Sequence, residues 1–327
     1  MVQELITLKT GKVNDYLHHV DLKQFAARRL LSGYVAEFDE GSIIMDTGSS
    51  LDVKHELRYL KKNNIPLSNV KYLITSHHHF DHNGGMWKLY EEIKKHTSQV
   101  KILTNKMTMD FLNNPEDHLK RAKRGFPPNM VGEMRPIDIN GFKLIETSDP
   151  NSIEIIETFH VNNLEVNLAI LKTPGHTPDH QSTVFIKDGV IDFIFFGEAV
   201  GTLYHSSELI TLPVSAPIHY NFEDDMKTTE NLKKLDVQKA GFSHFGIVNG
   251  KENVKKVLND HESFMKDFRA KIIKYHNEKD DTRYICEKVT PFLLSRSDMF
   301  NDQHLVINNM ILQSVYGVMM DLGYREI

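Results

Sequence analysis

The sequence predicts a mixed α/β protein with a helical C-terminal extension. Three observations predict it: a β-α-β pattern over residues 42 to 104, strand-like runs that return between 153 and 196, and helical spacing from 251 onward.

Tyr34 to Phe38 and Ser42 to Met45 are β-rich and flank Asp39-Glu40-Gly41, which predicts a hairpin ending in Asp46-Thr47-Gly48. Ser50 is placed to N-cap a helix through Lys62, with Leu51, Val53, Leu57, Leu60 and the following Ile65 as its apolar face. Val70 to Thr75 reads as a strand, Ser76 to Gly85 as a polar loop, Trp87 to His96 as an amphipathic helix, and Val100 to Thr104 as the strand closing the unit. From Lys106 to about Pro150 the pattern loosens, which predicts an insertion with helical pieces over one end of the domain. Its basic run, Lys120-Arg121-Ala122-Lys123-Arg124, fits either a solvated helix face or a grip on an anionic substrate. Strands return at Ile153 to Phe159, Val166 to Thr173, Ser182 to Ile186 and Phe193 to Phe196, the last two joined by the turn Lys187-Asp188-Gly189. Phe222 to Leu235 reads as a helix, Lys239 to Phe245 as a strand, and Lys251 to about His276 as a long charged helix. Met310, Ile311, Val315, Val318, Met319 and Leu322 continue the helical spacing, and without a Pro/Gly-rich tether the terminal helices are expected to pack on the main body.

Composition narrows the chemistry. With 327 residues, 39 Lys+Arg, 44 Asp+Glu and a net charge of −5, the chain carries no electrostatic footprint for nucleic acid. The one cysteine, Cys286, excludes an intramolecular disulfide and a Cys-based metal site, so any metal must be held by nitrogen and oxygen. Neither a signal-peptide pattern nor an apolar run of some 18 residues is found, which gives a cytoplasmic expectation with no membrane partner.

The decisive segment is Thr75-Ser76-His77-His78-His79-Phe80-Asp81-His82-Asn83-Gly84-Gly85, placed after a strand and before a helix. In an extended loop His77 and His79 aim the same way, while Asp81 and His82 at the helix entrance aim at a neighbouring point. Imidazoles and a carboxylate so grouped suit zinc, iron or manganese. His176 in Thr173-Pro174-Gly175-His176-Thr177-Pro178 and His244 in Gly241-Phe242-Ser243-His244-Phe245-Gly246 again follow strands. Each is a weak signal alone and gains weight from the first loop.

In these motifs the sequence resembles the metallo-β-lactamase-fold hydrolase superfamily, whose hallmark is His-x-His-x-Asp-His followed by His, acidic and His ligands in that order. The resemblance covers about residues 1 to 260 and includes Met45-Asp46-Thr47-Gly48. It implies an αββα sandwich with the metal site in loops at one edge. By the same resemblance residues 1–260 form a metallo-β-lactamase-like domain with an insertion at about 106–150, and residues 261–327 a C-terminal helical extension packed on it. The family pattern assigns His77, His79 and His176 to one divalent metal and Asp81, His82 and His244 to a second, zinc first, with iron or manganese as alternatives. A bridging carboxylate is expected between them. Here the chain departs: where relatives have Gly-Asp, it reads Gly197-Glu198, so Glu198 could bridge, hold one metal, or leave the set incomplete.

Two cations roughly 3.5 Å apart would ionise a shared water and stabilise a developing oxyanion, with Asp81 orienting that water as the catalytic residue. His78 and His180 are expected as neighbours that orient ligands, and Asp179 receives no role. His219 and Tyr220 are substrate-side candidates, by analogy with a Tyr that bonds the reacting carbonyl in lactonase-like members; ordinary loop packing is the alternative. The insertion and C-terminal helices are expected to roof the site, as in glyoxalase II-like and alkylquinolone-response-like relatives. The implied function is metal-dependent hydrolysis of a small ester, thioester, lactone or phosphoester. A diiron redox or oxygen-linked enzyme and a non-catalytic ligand-binding regulator are the alternatives. The partner is a small-molecule substrate, and a homodimer is compatible with this reading.

Overall fold

A computed structural model describes residues 4–299 and 305–326 and builds two seven-stranded sheets from fourteen strands. The first half supplies β1 (Ile6–Thr7), β2 (Gly11–Lys12), β3 (Leu17–Asp21), β4 (Ser32–Phe38), β5 (Gly41–Met45), α1 (Val53–Lys62), β6 (Val70–Ile74), α2 (Phe80–Asn83), α3 (Met86–Lys94), β7 (Lys101–Thr104), α4 (Lys106–Asn113), α5 (Glu116–Gly125), α6 (Pro128–Val131) and β8 (Phe142–Leu144). The second supplies β9 (Glu157–Val161), β10 (Leu164–Lys172), β11 (Gln181–Lys187), β12 (Val190–Gly197), α7 (Phe222–Leu232), β13 (Lys239–Phe242), β14 (Gly246–Asn249), α8 (Lys251–Glu278), α9 (Thr282–Leu294) and α10 (Leu305–Asp321).

One sheet runs β2-β3-β4-β5-β6-β7-β8 and the other β1-β14-β13-β12-β11-β10-β9. Between them lies an aromatic layer including Tyr16, Tyr34, Phe38, Phe159, Phe185 and Phe193. Outside the first sheet Val53 and Leu60 of α1 pack with Trp87 and Leu89 of α3. Leu232 of α7 and Val254, Val257 and Leu258 of α8 cover the second. This is the αββα arrangement, driven by sheets apolar on both faces and helices apolar on one. Tyr34 crosses the sandwich: its hydroxyl donates to the carbonyls of Phe242 at 2.8 Å and Gly246 at 3.0 Å, pinning the turn that carries His244.

The β5-α1-β6 and β6-α3-β7 crossovers are parallel and the β4-β5 hairpin antiparallel, as the pattern predicts. Several expectations are corrected. Helix α1 begins at Val53, and Ser50 does not cap it; the Ser50 hydroxyl instead accepts from the Glu133 N–H at 2.8 Å and ties the insertion down. The 106–150 segment is more than a helical cover, because its β8 extends the first sheet parallel to β7. The strand expected from Ile153 begins at Glu157, and the one expected through Phe245 breaks at Phe242, leaving His244 in a turn before β14. Three short N-terminal strands were not expected; β1 pairs with β14, so its partner is at the far end of the domain.

Helix α8 runs continuously through position 260 and joins α9 and α10 in a bundle around Phe264, Phe268, Ile285, Val289, Ile311 and Val315. Among the described residues no helix is long and apolar enough to cross a membrane. Helix α10 closes tightly on the 213–218 loop: Ser215 Oγ donates to the Ser314 carbonyl at 2.8 Å, and a Cβ on Gly317 would lie 1.9 Å from the Ser215 carbonyl oxygen. Gly317→Ala must therefore displace backbone, and we expect a loss of about 1–3 kcal/mol in urea unfolding. An unchanged midpoint would show that α10 does not dock as described.

Candidate metal centre

The site forms where strands end. Residues 75–79 follow β6 as a loop bent at Ser76 and His78 and extended at His79, and α2 starts at Phe80, so Asp81 and His82 occupy the first helical turn. The β10–β11 turn brings in His176, the end of β12 Glu198, and the β13–β14 turn His244.

Single ligand atoms of His77, His79, His176 and Glu198 lie within 4.8 Å of one another, as do those of Asp81, His82 and His244. Glu198 sits between the two groups. Its Oε2 is 2.9 Å from His176 Nε2, 3.1 Å from His82 Nε2 and 3.3 Å from His77 Nε2, and its Oε1 is 3.7 Å from His244 Nε2. Asp81 Oδ2 lies 3.4 Å from His82 Nε2 and 3.8 Å from His244 Nε2. Thus all seven residues expected as ligands converge, with the longer Glu198 side chain spanning the gap.

The donor chemistry fits cations. His176 Nδ1 faces the Val214 carbonyl and His244 Nδ1 the Leu30 carbonyl, so each ring keeps its proton on Nδ1 and turns an Nε2 lone pair to the centre. Those lone pairs face carboxylate oxygens and other imidazoles: His176 Nε2 is 3.2 Å from His77 Nε2 and 3.0 Å from His79 Nδ1. His82 Nδ1 and Nε2 are buried without a hydrogen bond. Imidazole nitrogens and carboxylate oxygens crowded this closely in a buried cluster form a donor set that suits a metal ion.

The same crowding shifts the protonation equilibria. Burial, then the neighbouring imidazoles, hold His77 and His79 well below the ordinary histidine value. Burial also opposes charge on His82, but Asp81 and Glu198 outweigh it and raise His82 well above that value. For Glu198 burial opposes ionisation, and the imidazoles of His176 and His82 outweigh it to hold the carboxyl low.

The surrounding residues brace the ligands. Asp46, at a positive φ of 56°, accepts from Ser76 N at 2.7 Å, Ser76 Oγ at 2.6 Å and Asn83 Nδ2 at 2.8 Å, joining both ends of the ligand loop. His180 Nε2 accepts from the Glu198 N–H at 3.0 Å, as a neighbour that orients a ligand should. Gly197 permits this approach, since a Cβ there would lie 2.6 Å from His180 Nε2. His78 turns away to Asp179, whose carboxylate takes its Nδ1 at 2.9 Å and its N–H at 3.0 Å; Asp179, given no role from sequence, locks the first loop to the His176 turn. Partners of this kind change metal affinity by about 10–100-fold. We expect Asp46→Ala to weaken zinc binding by that factor in a chelator competition, and unchanged affinity would remove Asp46 from the supporting shell.

Above the ligands opens a cleft of about 540 Å³, with His79, Asp81, His176, Glu198 and His244 on its floor. His219, the substrate-side candidate from sequence, lines it. Tyr220 is a correction: its ring packs in the C-terminal core, and its hydroxyl donates to Asp225 Oδ2 at 2.9 Å instead of facing the cleft. Tyr204 lines the cleft, with its ring 5.8 Å from that of His244. His118 on α5 was also missed. Its ring stacks on His79 at 5.3 Å, and its Nε2 accepts from the Phe80 N–H at 3.0 Å. A lone histidine in a charged helix carries no sequence signal for this position.

A family model described as the metallo-beta-lactamase superfamily matches residues 31–244. An archaeal metallo-beta-lactamase superfamily protein from Sulfolobus tokodaii has a similar structure, with a TM-score of 0.64 at 17% identity over 93% of this chain and 98% of that one. A B3 metallo-beta-lactamase described as having an active-site glutamic acid matches with a TM-score of 0.53 at 12% identity, over 80% of this chain and 91% of that one. A metallo-beta-lactamase from Cronobacter sakazakii gives 0.54 at 14%, over 80% and 98%. At these identities the likeness is one of fold. A protein from Aspergillus versicolor, named provisionally as a transcription factor, is 24% identical over 128 residues, and the match spans 37% of this chain and 33% of that relative's length.

Proposed function

Because this chain belongs to the metallo-beta-lactamase superfamily, we propose that it is a metal-dependent hydrolase of a small ester, thioester, lactone or phosphoester. The observation that carries the reading is Glu198, whose two oxygens face imidazoles of both ligand groups. His77, His79 and His176 would hold one divalent ion, zinc first, and Asp81, His82 and His244 a second, with Glu198 between. Bound there, such ions supply Lewis acidity and a water ionised near neutral pH. Asp81 lines the cleft beside His244, where its Oδ2 would orient the attacking water and take its proton. His180, Asp46 and Asp179 hold the ligands in place. The reading carries a small-molecule substrate and a cytoplasmic setting, and the net charge of −5 supports no nucleic-acid partner.

The test is turnover of an ester, thioester, lactone and phosphoester panel by zinc-replete protein and by His77→Ala, with the bound metal analysed. Turnover of at least one class that is lost in the variant is expected; rates equal to background throughout would sink the proposal. Iron without zinc, together with oxygen uptake, would move the protein to the redox alternative, since iron accepts the same nitrogen and oxygen donors.

A further inference from the structure

Helix α10 is apolar on two faces, and only one is used by the fold. Ile307, Ile311, Val315, Val318 and Met319 are buried in the C-terminal bundle. Leu312, Tyr316 and Met320, spaced four residues apart, line the cleft over the metal centre beside Gln313, and Leu312 is 48% exposed, whereas Met310 borders the cleft and also packs on the bundle. Phe25, Phe126 and Ile218 line the same cleft, so an apolar channel leads to the ligand cluster. Its volume of about 540 Å³ is that of a small-molecule site. The wall is held in place, because Gly317 and Ser314 of α10 lie against the 213–218 loop.

The cleft's charge is also uneven. Arg121 and Arg124 of α5 line it, and neither forms an ion pair among the described residues. The acidic residues that line it, Asp81 and Glu198, both belong to the ligand cluster. The basic run of α5 therefore does not simply face bulk water: two of its cations border the apolar channel.

Building on the hydrolase reading above, we propose that the substrate is an amphiphilic acyl ester or thioester, with a long apolar chain laid against α10 and an anionic group facing Arg121 and Arg124. Hydrolysis places the acyl carbonyl on the metal-centre floor. Water oxygen bonds to the acyl carbon, the C–O or C–S bond breaks, the leaving alcohol or thiol takes one proton of that water, and the acid so formed releases the other to solvent, giving a carboxylate. A second protein copy seated on the same face would explain the apolar wall but not its opening onto the ligand cluster.

Binding tests this without turnover. Titrate metal-free protein with ethyl phosphate, octyl phosphate and octyltrimethylammonium in a calorimeter. Octyl phosphate is expected to bind at least about 100-fold more tightly than ethyl phosphate, well within the worth of six buried methylenes, and at least about tenfold more tightly than the cationic octyl probe. Leu312→Gln should shrink the first ratio and Arg121→Glu the second. Equal binding of ethyl and octyl phosphate, equal binding of the two charges, or self-association abolished by Leu312→Gln each overturns the proposal. Turnover of p-nitrophenyl acetate and octanoate by zinc-loaded protein separates the two readings. Acetate hydrolysis without any chain or charge preference leaves the hydrolase and removes the amphiphile. Selective binding with no hydrolysis of either ester leaves the ligand class and removes the hydrolase.

Discussion

Glu198→Gln is expected to lower hydrolysis by about 10²–10³-fold, the scale of losing one charge-stabilising group at a reaction centre, and to reduce bound zinc below two ions per chain. The side chain is buried between four imidazoles, from His77, His82, His176 and His244, and supplies the carboxylate that both ligand groups share. Glutamine keeps the shape and one oxygen acceptor but removes the charge, so two cations would crowd together with Asp81 as the sole anion among the ligands. Glu198→Asp separates charge from reach. It keeps the carboxylate on a side chain one methylene shorter, and the observed oxygens already stand 2.9 Å from His176 on one side and 3.7 Å from His244 on the other. The aspartate variant should therefore keep one tightly held ion and lose affinity for the second. Metal stoichiometry by elemental analysis, with turnover on the same samples, checks both. Two ions bound at wild-type affinity in Glu198→Gln would show that Glu198 does not join the two groups.

What made this centre legible was contiguity. Four of its ligands fall within six residues of chain, and the strand before them and the helix after them constrain where they point. Glu198 was legible as the acid that ends an apolar strand, but not its orientation, which depends on Gly197 adopting a φ of 62° and on His180 holding the Glu198 N–H. Tyr220 shows the opposite outcome. It is adjacent in sequence to His219, yet one residue of rotation places one ring at the cleft and the other in the core. Sequence spacing in an irregular loop does not encode that difference. His118, Tyr204 and the α10 wall arrive by tertiary packing from distant segments, so no local pattern marks them.

The same limit applies to the fold. The β-α-β unit was readable because hydrophobic period and turn residues agree within each element. Strands β1 and β8 were not, because each is two or three residues long and is defined by its partner: β14 for the first and β7 for the second. Pairing across long chain separations overrides weak local preference at such edges.

A second large effect should come from a residue remote from the metals. Glu56 on α1 is completely buried, and neither carboxyl oxygen has a hydrogen-bond partner. It fits only because residue 33 is glycine, where a Cβ would lie 2.8 Å from Glu56 Oε2. Burial without a compensating cation pushes this carboxyl up to about 8 from an ordinary value of 4.5. In the unfolded chain the proton leaves near 4.5, so its contribution to stability is complete below that pH and is lost as pH rises toward 8. Each pH unit inside that window removes about 1.4 kcal/mol. Buried histidines act in the opposite sense at lower pH: His19 is pushed down to about 4 and His219 to about 4, so their contributions are lost as pH falls below 6.5. Between 6.5 and 8 these two histidines are neutral in both states, and comparing wild type with the variant cancels the other groups that titrate there, His82 among them. Glu56→Gln keeps the volume and removes the titration. Urea unfolding of both proteins with the same metal content should show the variant gaining about 2 kcal/mol on the wild type between pH 6.5 and 8. Parallel stability curves across that interval would mean that Glu56 is ionised in the folded protein and has a partner that the structure does not place beside it.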